Sequence, residues 1–139
     1  MRYMLDTNIC IYLIKKQPLE VLKRLQALKL GDAVMSVVTY AELRAGLEMQ
    51  NDHRDSEDRE LDLRALALLI KRIPVLTFAE ADAERFGVMR SAVRDRNRDT
   101  MDRLIAAHAA STGLALVTNN EVDFRDYPGL VLENWVTPT

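Results

Sequence analysis

The stretch Leu5-Asp6-Thr7-Asn8-Ile9-Cys10 places a carboxylate directly after a short apolar run and immediately before residues that favour the start of a helix. This order predicts that Asp6 follows the last residues of a first strand. In open α/β sheets ligands bind at the carboxyl ends of the strands, so a carboxylate there is placed for metal or phosphate chemistry. Asp6 and Asn8 would equally cap the next helix, and the stretch alone leaves both interpretations open.

The size and composition of the chain narrow the class of protein. A chain of 139 residues can bury roughly two-thirds of its unfolded surface, so we expect one domain over residues 1–139. Cys10 is the only cysteine, which excludes an intrachain disulfide and a cysteine-based zinc cluster. The sequence shows neither a signal-peptide pattern nor an apolar stretch near the ~20 residues that cross a bilayer. We therefore expect a cytoplasmic protein.

The spacing of apolar residues predicts strands that alternate with helices. The predicted strands are residues 2–6, 33–37, 75–77, 114–118 and 130–132. The predicted helices are residues 8–16, a segment that opens at Pro18 and ends near Gly31, and residues 39–49, 61–71, 79–97 and 100–111, with a polar break at 50–60. This alternation favours an α/β fold with a mostly parallel sheet of about five strands, covered on both faces by helices.

A second acid, Glu42, follows the second predicted strand in Ser36-Val37-Val38-Thr39-Tyr40-Ala41-Glu42-Leu43. It would lie in the first helical turn and point toward the same sheet edge as Asp6. Thr39 and Glu42 also fit the S/T-x-x-E capping box, in which the glutamate satisfies the start of its own helix. The local sequence alone favours the capping interpretation.

Two further segments carry acids. Asp102 lies in the opening turn of the helix that contains Leu104-Ile105-Ala106-Ala107, where an acid also complements the helix dipole. Ala106 and Ala109 share its face, and such small residues would let a backbone approach closely. After the strand at 114–118, the segment Asn119-Asn120-Glu121-Val122-Asp123-Phe124 adds two acids, although its composition, taken in isolation, predicts a surface turn.

The predicted topology brings these acids to one edge of the sheet. Carboxylates that crowd together raise one another's pKa and oppose folding unless another charge compensates them. A divalent cation supplies such a charge. Because the ligands would be oxygens, with no cysteine pair and no zinc-type histidine spacing, Mg²⁺ or Mn²⁺ is favoured over Zn²⁺.

Five segments in this order resemble those of the PIN-domain ribonucleases, and within them the VapC-type toxins of bacterial type II toxin–antitoxin pairs. They are Met4-Leu5-Asp6-Thr7-Asn8, Thr39-Tyr40-Ala41-Glu42-Leu43, Asp102-Arg103-Leu104-Ile105-Ala106-Ala107-His108-Ala109, Leu116-Val117-Thr118-Asn119-Asn120 and Pro128-Gly129-Leu130-Val131-Leu132-Glu133-Asn134-Trp135. The resemblance runs nearly end to end. It implies a three-layer α/β/α PIN domain with a central parallel sheet, and an endoribonuclease that uses Mg²⁺ or Mn²⁺.

The resemblance also assigns the acidic residues. It implies that Asp6, Glu42 and Asp102 form the acidic core, with Asp123 as the fourth acid. Many relatives carry an acid directly after the position of Thr118 or one residue beyond, where this chain has asparagines. Asp123 would then act through water, and Glu121 stays a rival for the fourth position.

The expected chemistry is hydrolysis of an RNA phosphodiester by an activated water. Asp6 and Asp102 would bind the principal metal ion, while Glu42 would bind it directly or orient the attacking water. Asn8 and Thr118 would hold the carboxylates by hydrogen bonds. Products with 3′-hydroxyl and 5′-phosphate ends are implied by the resemblance. Neither histidine is needed for this chemistry: we expect His108 to be structural and His53 to be solvated.

Basic residues occur in two groups, although the formal net charge of the chain is −2. They are Lys15, Lys16, Lys23 and Arg24 in the first group, and Arg85, Arg90, Arg94, Arg96, Arg98 and Arg103 in the second. A charged helix is usually only a solvated face. Beside an acidic metal site, some of these residues would attract an RNA backbone, with binding that weakens as salt rises. The resemblance points to transfer, ribosomal or messenger RNA.

The resemblance further implies a cognate antitoxin and a homodimer. The C-terminal segment of the antitoxin would lie along the active-site groove, near Tyr12, Glu42 and Arg44. A leucine-rich helix carries more apolar residues than one core-facing stripe needs, so it either contributes to a dimer or is buried on two sides. These residues are Leu61, Leu63, Leu66, Leu68, Leu69 and Ile70.

Two other functions are alternatives. A phosphotransfer domain with an aspartyl nucleophile also begins with a strand and an aspartate, but it normally has a second acid two residues on, where this chain has Asn8. A noncatalytic RNA- or protein-binding module on the PIN fold is the stronger alternative, because Asn119 and Asn120 stand where many relatives carry an acid. Such a module would keep its binding affinity and show no metal-dependent cleavage.

Overall fold

The first strand, β1 (Tyr3–Leu5), ends immediately before Asp6, as the opening stretch predicts. The structure is a computed structural model that describes residues 1–49, 56–95 and 97–136. After β1, the elements in chain order are α1 (Thr7–Lys15), α2 (Leu19–Gln26), β2 (Ala33–Ser36), α3 (Val37–Met49), α4 (Ser56–Arg72), β3 (Val75–Leu76), α5 (Glu80–Ala92), α6 (Thr100–Thr112), β4 (Ala115–Val117), α7 (Glu121–Phe124) and β5 (Leu132–Glu133).

The strands form one five-stranded sheet in the order β3-β2-β1-β4-β5, and every pair of neighbours is parallel. β1 lies at the centre, where Tyr3 is in register with Ala33 of β2 and with Ala115 of β4. The predicted α/β fold with a parallel sheet is therefore confirmed. Because all strands run in one direction, their carboxyl ends share a single edge of the sheet.

Helices cover both faces of the sheet, which gives three layers. Successive strand residues point to opposite faces: Met4 and Val34 belong to one buried cluster, whereas Leu5 and Met35 belong to the other. The Leu5 cluster includes side chains from α1, α2, α3 and α4, and the Met4 cluster includes side chains from α5, α6 and α7. In the described part of the chain, no helix is long and apolar enough to cross a membrane.

Several element boundaries differ from the prediction. The helix predicted for residues 79–97 ends at Ala92, because Val93 adopts an extended backbone. α4 begins at Ser56, inside the predicted polar break, and the last strand is Leu132–Glu133 rather than 130–132. Residues 50–55, which include His53, and Arg96 lie outside the described residues.

His108 has the structural role that the sequence predicts for it. Its ring is fully buried on α6, and Nδ1 lies 2.8 Å from Ser36 Oγ at the end of β2. Nε2 lies 3.7 Å from the Asp82 carboxylate on α5, and the ring packs edge-on against Phe78. Burial lowers the pKa of His108, although the Asp82 charge opposes that shift. The neutral imidazole therefore connects α6 to β2 and α5.

α7 is a helix where the sequence predicts only a turn, and Phe124 anchors it. This ring is 1% exposed and packs in the Met4 cluster, whereas Val122 on the same helix is 61% exposed. Phe124 thus anchors the short helix in the Met4 cluster.

We predict that Phe124→Ala lowers the free energy of unfolding by about 3–5 kcal/mol, because it leaves a cavity in the core. Val122→Ala, the matched control on the same helix, is expected to change it by less than about 0.5 kcal/mol. Urea unfolding followed by circular dichroism measures both values. Equal effects of the two substitutions would show that Phe124 does not anchor α7.

Candidate active site at the carboxyl edge of the sheet

Asp6 caps α1, as the capping interpretation predicts, and it also lines a cavity at the sheet edge. Its Oδ1 accepts the Ile9 N–H at 2.9 Å, and the Thr118 hydroxyl and the Asn8 backbone N–H also donate to the carboxylate. The residue is only 3% exposed. Burial raises the pKa of Asp6, while these hydrogen bonds lower it in part.

The predicted capping box of Thr39 and Glu42 is wrong. α3 follows β2 without a loop and begins at Val37, so Ser36 caps it: Ser36 Oγ accepts the Val38 N–H at 3.0 Å. Glu42 therefore lies beyond the first turn of α3 and does not cap it. Its Oε1 instead accepts a hydrogen bond from Thr7 Oγ1 at 2.7 Å, across from the start of α1.

Asp102 lies in the first turn of α6, where its N–H donates to Asp99 Oδ1 at 3.1 Å. The pKa of Asp102 is raised to about 7, first by burial and then by the charges of the surrounding carboxylates, which are Asp99, Glu42, Asp6 and Asp123. Four other acids thus act on one carboxyl group. The electrostatic crowding that the sequence predicts for this edge is present.

The acids of α7 face different neighbours. Asp123 accepts a hydrogen bond from the Asn120 amide and lines a small cavity of about 120 Å³ together with Asp99 and Asp102. Glu121 instead accepts from Asn134 Nδ2 at 3.3 Å, on the side of β5. The structure therefore brings Asp123, and not its rival Glu121, to the side of Asp102.

The main cavity at this edge has a volume of about 220 Å³. Its lining residues are acids, polar side chains and one aromatic ring: Asp6, Thr7, Asn8, Glu42, Asp99, Asp102, Asn120 and Phe124. No lysine, arginine or histidine is among them. The lining offers oxygen ligands of the kind that Mg²⁺ and Mn²⁺ prefer, and no basic side chain of this lining neutralises the acids.

The carboxylates of the site do not converge on a single point. Among the described residues, no three histidine, cysteine, aspartate or glutamate side chains form a group that could jointly hold one metal ion. Thr7 holds Glu42, and Asn120 holds Asp123. The donor set fits a hard divalent cation, whereas its arrangement requires side-chain rotation before three carboxylates could meet on one ion.

Two residues of the site, Thr7 and Asp99, were not singled out from the sequence, and a third, Asn120, was noted only because many relatives carry an acid there. Thr7, Asp99 and Asn120 line the cavity, and each makes a hydrogen bond within the acidic cluster. The sequence could have identified Asp99, since an aspartate three residues before Asp102 is well placed as the N-cap of the same helix. No local sequence pattern could have identified Thr7, because its partner Glu42 is 35 residues away in sequence.

Two arginines of the second basic group, some of whose members are expected to attract an RNA backbone, make hydrogen bonds within the protein. Arg98 donates to the Asp123 carbonyl at 2.5 Å and to the Asp126 carboxylate at 2.6 Å. Arg103 is 3% exposed and donates to the Tyr127 hydroxyl at 3.1 Å. Both guanidinium groups thus hold the segment around α7 against the start of α6.

Comparison with known proteins places this arrangement in a family. The PIN domain model matches residues 3–130. "Ribonuclease VapC2" of Haemophilus influenzae is 37% identical over 138 residues, which cover 98% of this chain and 99% of the relative. "tRNA(fMet)-specific endonuclease VapC" of Shigella flexneri is 37% identical over 137 residues, which cover 97% and 98% of the two chains.

A solved structure agrees with these matches. It is VapBC2 from Rickettsia felis bound to a DNA fragment from their promoter, with a TM-score of 0.84 and 32% identity, covering 97% of this chain and 99% of that one. The likeness thus extends from the sequence to the whole fold. This chain belongs to the PIN domain family and, within it, to the VapC-type ribonucleases.

Proposed function

We propose that this protein is an endoribonuclease that acts as the toxin of a toxin–antitoxin pair and hydrolyses RNA with the help of Mg²⁺ or Mn²⁺. The observation that carries the proposal is the crowding of carboxylates around Asp102 in a cavity without basic lining residues. Burial first, and then the charges of these neighbours, raise the pKa of Asp102 to about 7. Relatives along nearly the full length are named ribonucleases, and two are named as tRNA(fMet)-specific endonucleases.

Asp6 and Asp102 are the proposed metal-binding residues, because they come from neighbouring elements and both face the main cavity. Asp123 would contribute to metal binding through a water molecule. Glu42 would also do so, in addition to its role toward the attacking water. When bound, the cation neutralises a phosphate oxygen and lowers the pKa of a water molecule that it holds. The hydrogen bonds from Thr118 and from the Asn8 backbone hold the Asp6 carboxylate at the cavity wall.

Glu42 is the proposed base. Thr7 occupies its Oε1, so Oε2 is the oxygen available to orient the attacking water and accept its proton. The side chain lines the main cavity, which keeps it within reach of a phosphodiester bound there. The RNA substrate would enter over this edge, and a cytoplasmic location follows from that substrate class.

An apolar groove beside the acidic cavity is the proposed antitoxin site. It has a volume of about 480 Å³ and lies between α1, α3 and α4, with the lining residues Thr7, Ile11, Ile14, Lys15, Glu42, Leu43, Gly46, Leu47, Asp62 and Leu66. The solved relative from Rickettsia felis is a VapBC2 assembly, and the resemblance implies that such an assembly pairs a toxin with its antitoxin. An apolar helical segment of that partner would fill this groove.

A homodimer is proposed through α4. Leu66 and Leu69 of this helix are buried in the core, whereas Leu61 and Leu68 are 57% and 68% exposed. Core packing therefore does not account for Leu61 and Leu68, in agreement with the excess of leucines in the sequence of this helix.

We predict that Asp6→Asn abolishes metal-dependent RNA cleavage, with a loss on the order of 100-fold or more. The amide oxygen can still accept the Ile9 N–H, so α1 keeps its cap while the negative charge is lost. The measurement is cleavage of a total bacterial RNA pool with Mg²⁺, with Mn²⁺ and with chelator. Glu84→Gln, which removes an exposed acid on α5, is the matched control.

Discrete products that need both the metal and Asp6 would support the nuclease. Folded protein, free of antitoxin, that binds RNA and yields no products under any metal condition would instead identify the noncatalytic binding module. Cleavage that persists in chelator would exclude the proposed metal-dependent mechanism.

We predict that Asp102→Asn stabilises the metal-free protein at neutral pH. The pKa of this carboxyl is about 7 in the folded state, against about 4 in the unfolded state. The unfolded state therefore ionises first, and the free energy of unfolding falls as the pH rises from about 4 to about 7. Because the side chain is partly exposed, solvent screening limits the expected gain to about 1–2 kcal/mol at pH 7.5.

Urea unfolding in chelator between pH 4 and pH 8 measures this effect. Asp102→Asn is expected to weaken the pH dependence in this range, and Glu84→Gln is expected to leave it unchanged. If Asp102→Asn proves less stable than the wild type at pH 7.5, the carboxylate stabilises the start of α6 more than its neighbours destabilise it.

A further inference from the structure

The contact between Thr7 and Glu42 joins the two segments that follow β1 and β2. Thr7 Oγ1 lies 2.7 Å from Glu42 Oε1 and 3.4 Å from Thr39 Oγ1. Thr39 is fully buried, so the contact lies against the core of the protein. A hydroxyl group has a single proton to donate, and the shorter contact to a charged acceptor takes it. Thr7 therefore donates to Glu42, and its longer contact with Thr39 is secondary.

Glu42 stands at a boundary between two spaces. Thr7 and Glu42 both line the acidic cavity, and both also line the apolar groove between α1, α3 and α4. Lys15 lines the groove as well and offers a competing positive charge on that side. On the cavity side, the charges of Asp6 and Asp102 repel Glu42. Electrostatics alone would therefore draw the carboxylate out of the cavity and toward the groove.

We propose that Thr7 is a positioning residue for Glu42: its hydroxyl holds one carboxylate oxygen so that the other stays directed to the acidic cavity, against the repulsion of the neighbouring acids. This inference rests on the proposed nuclease function. It adds that the turn after β1 supplies two kinds of group to the site, a metal-binding carboxylate at Asp6 and a positioning hydroxyl at the next residue. The wall between cavity and groove is then a functional part of the site.

Thr7→Val tests the proposal, because it removes the hydroxyl group and keeps the branched shape of the side chain. Thr7→Ser restores the hydroxyl group and serves as the rescue. Mn²⁺ binding to the metal-free protein is measured by isothermal titration calorimetry, and kcat and KM are measured on an RNA that the wild type cleaves.

We expect Thr7→Val to weaken Mn²⁺ binding about tenfold and to lower kcat about tenfold, the range seen when a hydrogen bond that orients a metal-binding or catalytic carboxylate is lost. KM should stay within about twofold, because Thr7 acts on Glu42 and not on the RNA. Thr7→Ser should stay within about threefold of the wild type in both measurements.

Thr39→Val is the matched control, since it removes a buried hydroxyl next to the same pair and leaves the bond between Thr7 and Glu42 in place. It should lower the free energy of unfolding by about 1 kcal/mol and leave Mn²⁺ affinity within about twofold. Urea unfolding of every variant establishes that the proteins compared are folded.

Unchanged Mn²⁺ affinity and kcat in folded Thr7→Val would overturn the proposal. A loss of the same size in Thr39→Val would also overturn it, since the effect would then come from packing. If the wild type binds Mn²⁺ but cleaves no RNA, the nuclease function fails, while the Mn²⁺ affinities of Thr7→Val and Thr7→Ser still decide whether Thr7 positions Glu42.

Discussion

Repulsion between carboxylates at one edge of a parallel sheet is the constraint on which this structure depends. Burial raises the pKa of Asp102, and the charges of Asp99, Glu42, Asp6 and Asp123 raise it further. The described lining of the cavity contributes no cation, so hydrogen bonds oppose the repulsion: Thr118 donates to Asp6, Thr7 to Glu42 and Asn120 to Asp123. These bonds keep each acid at a fixed place while the charge of the cluster stays available to a divalent ion.

The stability that offsets this repulsion comes from the two buried clusters on either side of the sheet. β1 contributes Met4 to one cluster and Leu5 to the other, so the strand that carries Asp6 is anchored on both faces. α6 is equally well held, since residues on several of its faces are buried and Arg103 is bonded to Tyr127. The acids thus stand on rigid elements, which is what a site of like charges requires.

The acidic cavity and the apolar groove share a wall. This arrangement links the proposed RNA cleavage in the cavity to the proposed antitoxin binding in the groove. A partner seated between α1, α3 and α4 would touch the same side chains that border the cavity, Thr7 and Glu42. Its position would therefore allow it to act on the site through Glu42 as well as by covering the entrance. Inhibition of this kind needs no conformational change elsewhere in the domain.

The sequence by itself determined the α/β alternation and the position of Asp6, because both depend on neighbouring residues: apolar periodicity sets the elements, and an acid after a strand reports the sheet edge. The family resemblance added the fold and the class of activity. The sequence did not predict the helix α7, because the contact that anchors it, that of Phe124 with the core, depends on tertiary packing.

Tertiary structure alone decided the partners of Glu42, Glu121 and Asp123. The local sequence assigned Glu42 to a capping box, yet the direct passage from β2 into α3 gave the cap to Ser36 and left Glu42 to Thr7. The tertiary structure likewise places Asp123 beside Asp102, whereas Glu121 accepts a hydrogen bond from Asn134. These contacts join residues that are distant in the chain or on opposite sides of a short helix, so no local pattern encodes them, and only the packing of the elements brings the groups together.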